Sequence, residues 1–342
     1  IIPNGLKSLA MSQTTFRTFM TVHSHVVFVE PDGILKIIAG NGQVAPASSA
    51  IPDNQNAKIF PVAPLDLSYN AGLDRVYFSE PNYRRIRYVS DYDGTPIIRN
   101  LAYSLPANIS ATNFTPTIMK PDSFGDIYIL SKSYSNIAAG TYIVKLNVTT
   151  GAMTHIAGTG INFPSSSTGA ATASSIGPID FCLDKDNNVY ICEAGGSIRV
   201  VDAATGNIST LSYVKNSSLD IPLQITIDRQ GRLYYTETGS VGARKVVMLN
   251  PPYNVGPAQI IVQQTPPVVT PTTTTTLPTP VGPPTTTPPT SIQSIGLIQT
   301  ADGRLFTKIT TDTDQSLSDQ AAVGYKTFFV SAVRSSQQRN SV

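Results

Sequence analysis

Asp74-Arg-Val-Tyr-Phe-Ser79 and Gly231-Arg-Leu-Tyr-Tyr-Thr236 share one pattern: a turn residue, then a strand in which a branched or long apolar residue precedes an aromatic one. The same pair recurs as Val27-Phe28, Val76-Tyr77, Ile127-Tyr128, Val189-Tyr190 and Leu233-Tyr234, spaced 49, 51, 62 and 44 residues apart. Spacing of that order marks a repeat in which each copy is one small sheet. Alternation at period two around each pair predicts strands, and helical spacing is nearly absent outside Gln315 to Ala322. The fold expected is all-β, a β-propeller with five evident blades.

A second repeated element ends the blades. Gly33-Ile-Leu-Lys-Ile-Ile-Ala-Gly-Asn-Gly42 is echoed by Gly151-Ala-Met-Thr-His-Ile-Ala-Gly-Thr-Gly160 and, more faintly, by Gly206-Asn-Ile-Ser-Thr-Leu211. Basic strands precede such elements, as in Arg84-Arg-Ile-Arg-Tyr-Val89 and Ser197-Ile-Arg-Val-Val201. The order of aromatic strand, basic strand and I-A-G-x-G turn resembles NHL-repeat propellers over residues 16–262. The third blade departs from it, with a Ser/Asn/Ala loop between Lys132 and Tyr142, and the second ends in Ile97-Ile98-Arg99-Asn100 without the glycine turn. The absence of tryptophan argues against the WD type.

Only 13% of the chain is charged and its net charge is +2, with basic residues clustered only at Arg84–Arg87. That excludes an electrostatic footprint for nucleic acid, and no apolar run is long enough to predict membrane insertion. The first residue is Ile1, which fits a chain whose leader has been removed. Asn108, Asn113, Asn147, Asn207 and Asn216 stand in N-x-S/T sequons and are expected to carry N-glycans. Cys182 and Cys192 flank the turn signal Asp184-Lys-Asp-Asn-Asn188. A hairpin about residue 187 brings them opposite each other, which predicts a disulfide. Together these features predict an extracellular or cell-surface protein.

From Thr265 to Thr290 the composition becomes almost pure proline and threonine. This divides the chain into a propeller over 1–264, an extended linker over 265–290 and a β tail over 291–342. Such a linker cannot bury a core, and Ser/Thr/Pro runs read as O-glycosylated stalks, which assigns glycans to Thr272, Thr273, Thr274, Thr275, Thr276, Thr285, Thr286 and Thr287. The stretch also resembles the hydroxyproline-rich segments of surface glycoproteins. At about 3.1 Å per residue it reaches roughly 80 Å, beyond a body about 47 Å across. The tail repeats the Leu-Phe pattern at Leu305-Phe306 and adds a strand around Phe328 and Phe329. It is too small to fold alone, so these four residues are expected to dock it, as a sixth blade, on its own propeller or on a neighbour's.

Chemical motifs are sparse. His23-Ser-His25 places two imidazoles at period two, the spacing of one strand face, but His155 is the only other histidine. Some propellers of the NHL type are lyases or lactonases with a metal on the axis; the resemblance implies that chemistry only if several blades supply ligands, and these do not. Asp184, Asp186 and Asn188 alternate as calcium ligands do, without the glycine and glutamate of an EF-hand. No cofactor, metal or catalytic residue is therefore assigned, and the chain is expected not to be an enzyme. The function expected is a structural glycoprotein that assembles with itself head to tail through the tethered tail. The alternative is a propeller that binds a protein or glycan through surfaces such as Phe163–Ser175 and Arg84–Arg87.

Overall fold

The computed structural model describes residues 6–11, 18–29, 34–43, 53–132, 140–211, 221–238, 244–253, 259–264, 292–299, 305–311 and 328–331. Blade one holds β1 (Leu6–Met11), β2 (Thr18–Val22), β3 (His25–Val29) and β4 (Leu35–Ala39). Blade two follows a two-residue strand, β5 (Gln55–Asn56), with β6 (Leu67–Asn70), β7 (Arg75–Glu80), β8 (Arg85–Ser90) and β9 (Ile97–Asn100). Blade three comprises β10 (Pro116–Pro121), β11 (Ile127–Ser131), β12 (Thr141–Leu146) and β13 (Met153–Gly160). Blade four comprises β14 (Gly169–Ala170), β15 (Pro178–Leu183), β16 (Val189–Glu193), β17 (Ile198–Val201) and β18 (Asn207–Thr210). Blade five comprises β19 (Ile221–Ile227), β20 (Leu233–Thr238), β21 (Arg244–Leu249) and β22 (Gln259–Gln264). The tail forms a three-stranded sheet of β23 (Ile292–Gln299), β24 (Leu305–Thr311) and β25 (Phe328–Ser331).

Each sheet is an antiparallel meander, and the first strand of each lies beside the first strand of the next. These neighbours run β1, β6, β10, β15, β19, β23 and back to β1, so six inner strands form a closed cycle around one axis. Through β23 the tail sheet meets blades five and one. One irregularity recurs in every inner strand: two residues oppose one on the partner, a β-bulge. It falls between Leu6 and Ser8, Pro116 and Ile118, Pro178 and Asp180, Pro222 and Gln224, and Ile292 and Ser294. In blade two Ser79 pairs with both Leu65 and Asp66. The bulge at Ile292 marks β23 as an inner strand of the same kind.

Period-two alternation explains how the blades hold together. Val76, Phe78 and Val89 face blade one, packing with Phe19, Phe28 and Ile38, whereas Tyr77 and Ile86 face blade three. Blade four divides likewise: Phe181, Val189 and Ile191 go one way, Cys182, Tyr190 and Cys192 the other. Blades two, three and four bury both faces, so their strands read as nearly continuous apolar runs. Each fully buried Phe or Ile contributes about 2–3 kcal/mol. Glycine is required where blades meet. Gly40 and Gly158 have φ of 95° each, and a Cβ there would run into the carbonyl oxygens of Ser24 and Thr141.

The cysteines are not where the sequence placed them. The β15–β16 register sets Cys182 against Tyr190 and Cys192 against Asp180, two residues out of opposition, and both thiols are free and buried. The turn is tighter than a pairing of 182 with 192 requires, because Asp184 caps it. The helical stretch expected around Gln315 to Ala322 lies outside the described residues.

Candidate functional site

The residue after the bulge is Ser8, Asp66, Ile118, Asp180 and Gln224 in the first five blades, so these positions surround the axis. Two aspartates there tie neighbouring blades together. Asp66 accepts the Ser8 hydroxyl through one oxygen and the Met119 N–H of blade three through the other, at 2.6 Å. Asp180 accepts the Ile225 N–H of blade five at 3.1 Å. Between them stands Lys120, its Nζ 3.6 Å from Asp180 Oδ1. Burial pushes the Asp66 carboxyl up, against the pull of Lys120. Burial also opposes the Lys120 charge, yet Asp180 and Asp66 outweigh it and hold its pKa above the usual lysine value. The Lys120 side chain keeps 34% exposure although crowded by three blades. An internal cation occupies the space between two carboxylates, and among the described residues no cluster of His, Cys, Asp or Glu is suited to a metal.

A second device repeats at the end where each blade is entered. Glu80 accepts the Ala63 N–H at 2.8 Å and Glu193 the Gly177 N–H at 3.0 Å, each just before the proline that opens the inner strand. Each carboxylate is paired below with a buried arginine, Glu80 with Arg87 at 3.1 Å and Glu193 with Arg199 at 3.9 Å. In blade three Ser131 takes over the N–H bond, from Thr115 at 2.8 Å, and Val144 stands where the arginine would be. Acid and base are lost together, which is why the basic strand is missing there. Burial lowers the Arg87 pKa to about 10. Arg199 spans further: its two terminal nitrogens donate to the carbonyls of Ser165 and Ser167. The connection into blade four is therefore pinned, and it presents Ile161 at 50% and Phe163 at 64% exposure.

The sequence candidates divide accordingly. His23 sits in the β2–β3 turn with φ of 48°, so it and His25 do not share a strand face. Burial and His23 lower the His25 pKa. His155 is engaged by Asn108 Nδ2 and the Gly158 carbonyl, both at 2.8 Å. Asp184 spends its carboxylate on its own turn, accepting the N–H groups of Asp186 and Asn188 and the Asn188 side-chain amide. Asp122 and Asp228 cap their turns in the same way. Arg87 is wholly buried and Arg85 pairs with Glu80, so Arg84–Arg87 is not an open basic surface. Asn108 and Asn207 are exposed, and Asn113 and Asn147 partly so. Asn147 uses its side-chain oxygen to hold the turn, accepting from Thr149 and Thr150. Asn216 and the eight linker threonines lie outside the described residues. Leu305 and Phe306 are on β24, Phe328 and Phe329 on β25. The axial residues were missed, although a signal exists: Pro64-Leu-Asp66, Pro178-Ile-Asp180 and Pro222-Leu-Gln224, each followed four residues later by Asn70, Asp184 or Asp228.

No family model and no curated protein matches the chain. Solved structures do. A nidogen/laminin complex contains a chain 12% identical, with TM-score 0.50, matching 76% of this chain and 80% of that one. A gluconolactonase of Xanthomonas campestris is 11% identical over 90% of this chain and 82% of its own, with TM-score 0.50. A luciferin-regenerating enzyme is 12% identical over 92% and 87%, with TM-score 0.51. At such identities the likeness establishes the fold, a β-propeller. It also corrects the expectation that the chain is not an enzyme, because two of these three proteins with the same fold are enzymes. Scarcity of histidine speaks to histidine-based metal sites and not to catalysis at large.

Proposed function

We propose that the chain is a secreted, glycan-bearing propeller of NHL-like repeats that recognises an extracellular protein or glycan at the end where its blades are entered. The observation that carries this is the Arg199 fork on Ser165 and Ser167, which fixes a surface connection whose apolar residues Ile161 and Phe163 face outward. Exposed apolar side chains on a pinned support are what a recognition surface needs. A nidogen/laminin complex among structures of this fold supports reading a propeller face as protein-binding. Exposed Asn207 and the Pro/Thr stretch support secretion and glycosylation. The head-to-tail fibre expected from the sequence requires β23–β25 to leave their own ring for a neighbour's, and closure within one chain favours recognition over it.

The test is direct binding of the purified chain to a glycan array and to laminin. Wild type is expected to bind, and I161A/F163A to weaken binding at least about tenfold while leaving the fold intact. Binding unchanged in the double variant overturns the location. Hydrolysis of gluconolactone by wild type, abolished in D66N, overturns the recognition reading in favour of catalysis at the axis.

A further inference from the structure

We propose that the buried Arg87 guanidinium of blade two, with Glu80 and Arg85 beside it, holds one small monovalent anion of chloride size. Blade four shows what an arginine in this place requires. There one carboxylate faces one arginine: Glu193 accepts the Gly177 N–H and lies 3.9 Å from Arg199. The Arg199 donors are then spent on main-chain carbonyls, the terminal pair on Ser165 and Ser167 and Nε on Ser209 at 3.4 Å. That guanidinium is balanced in charge and met in hydrogen bonds.

Blade two keeps the acid and the arginine but changes the count. Glu80 Oε1 accepts the Ala63 N–H, and Oε2 is shared by two guanidinium groups, Arg85 at 2.5 Å and Arg87 at 3.1 Å. The contact with Arg87 is an ion pair without hydrogen-bond alignment, and its Nε, Nη1 and Nη2 all lack an acceptor among the described residues. The side chains of Arg87 and Glu80 are wholly buried and that of Arg85 is only 19% exposed. Asp53 does not make up the difference. Its exposed carboxylate accepts the Asn100 N–H at 2.7 Å and acts on Arg87 less strongly than Arg85 repels it. Asp53 is also the counterpart of Ser167, since each stands two residues before a two-residue strand, β5 or β14. Its carbonyl, however, accepts from Gln55 Nε2 at 3.5 Å and not from the guanidinium. Two cations therefore share one buried acid. An unbalanced buried charge is costly to a fold, and water can meet N–H groups without balancing it. An anion does both, accepting from the idle Arg87 donors and neutralising the excess. Full enclosure of Arg87 sets the small size of the occupant, and the single excess charge sets its valence.

Urea unfolding of the full chain tests the site, with sodium chloride replacing sodium gluconate at constant ionic strength. Urea is required because guanidinium chloride would itself supply the ion. For one site, each tenfold rise in chloride above its dissociation constant lowers the unfolding constant about tenfold. Wild type and R199M are expected to show that slope by about 100 mM chloride, and R87M to show none. No chloride dependence in wild type overturns the proposal. An equal slope in R87M also overturns it, because the effect would then be a general one of salt. Should R87M fail to fold, wild-type crystals grown in bromide decide. An anomalous-scattering peak within hydrogen-bonding reach of Arg87 Nη1 or Nη2 is expected, and a map without that peak overturns the proposal.

Discussion

Single residues set the terms at the axis. Lys120 neutralises a pair of carboxylates drawn from blades two and four, so its removal leaves two like charges facing each other with little shielding. K120M is expected to cost about 1–3 kcal/mol, less than for a fully buried pair because the lysine side chain is partly exposed. Denaturant unfolding at several pH values checks this. The Asp66 pKa is already raised in the folded state, so its protonation favours the fold as pH falls, and losing Lys120 raises it further. The deficit of K120M should therefore shrink as pH drops from 7 towards about 4, and a deficit independent of pH refutes the account. The cysteines allow a second check. Burial raises both thiol pKa values well above normal, Asp180 adding to the effect. Ellman titration should find two thiols after unfolding and almost none reacting in the native protein, and a native disulfide would show as zero in both.

Elements carry the division of labour between blades. The Glu–Arg pairs of blades two and four join inner strand, second strand and third strand, and in blade four they extend to the entering connection. R199M should strand the carbonyls of Ser165 and Ser167 and the Glu193 carboxylate, costing about 2–4 kcal/mol. Limited proteolysis should then cut within residues 161–175, where wild type resists. Strand identity was legible in the sequence because the middle blades bury both faces, which makes Val76-Tyr77-Phe78 and its repeats unmistakable. The Gly40 and Gly158 turns were legible for a steric reason local to the chain. Register was not: the bulge after Pro178 and the cap by Asp184 shift Cys192 onto Asp180, and neither is visible without the partner strand. The axial site was hidden for a related reason, since Asp66, Lys120 and Asp180 are 54 and 60 residues apart in succession and meet only when blades close round one axis.

At the scale of the whole molecule, closure by β23 makes the last blade part of the same cooperative ring as the first. Light scattering on size-exclusion chromatography should show a monomer over a wide concentration range, whereas donation of β23–β25 to a neighbour would give dimers or longer chains. A chain ended at Gln264 leaves the flanks of β1 and β19 open and should unfold about 10 °C lower or aggregate on heating; an unchanged midpoint would mean that blade six contributes nothing to the ring.

Ring closure also changes what the Pro/Thr stretch is. Gln264 ends β22 and Ile292 begins β23 in the adjacent sheet, so both ends of the stretch are held by one body. A protease that severs it would split the polypeptide without dissociating the protein: two fragments on a denaturing gel, one particle in solution, the smaller piece retained by its place in the ring.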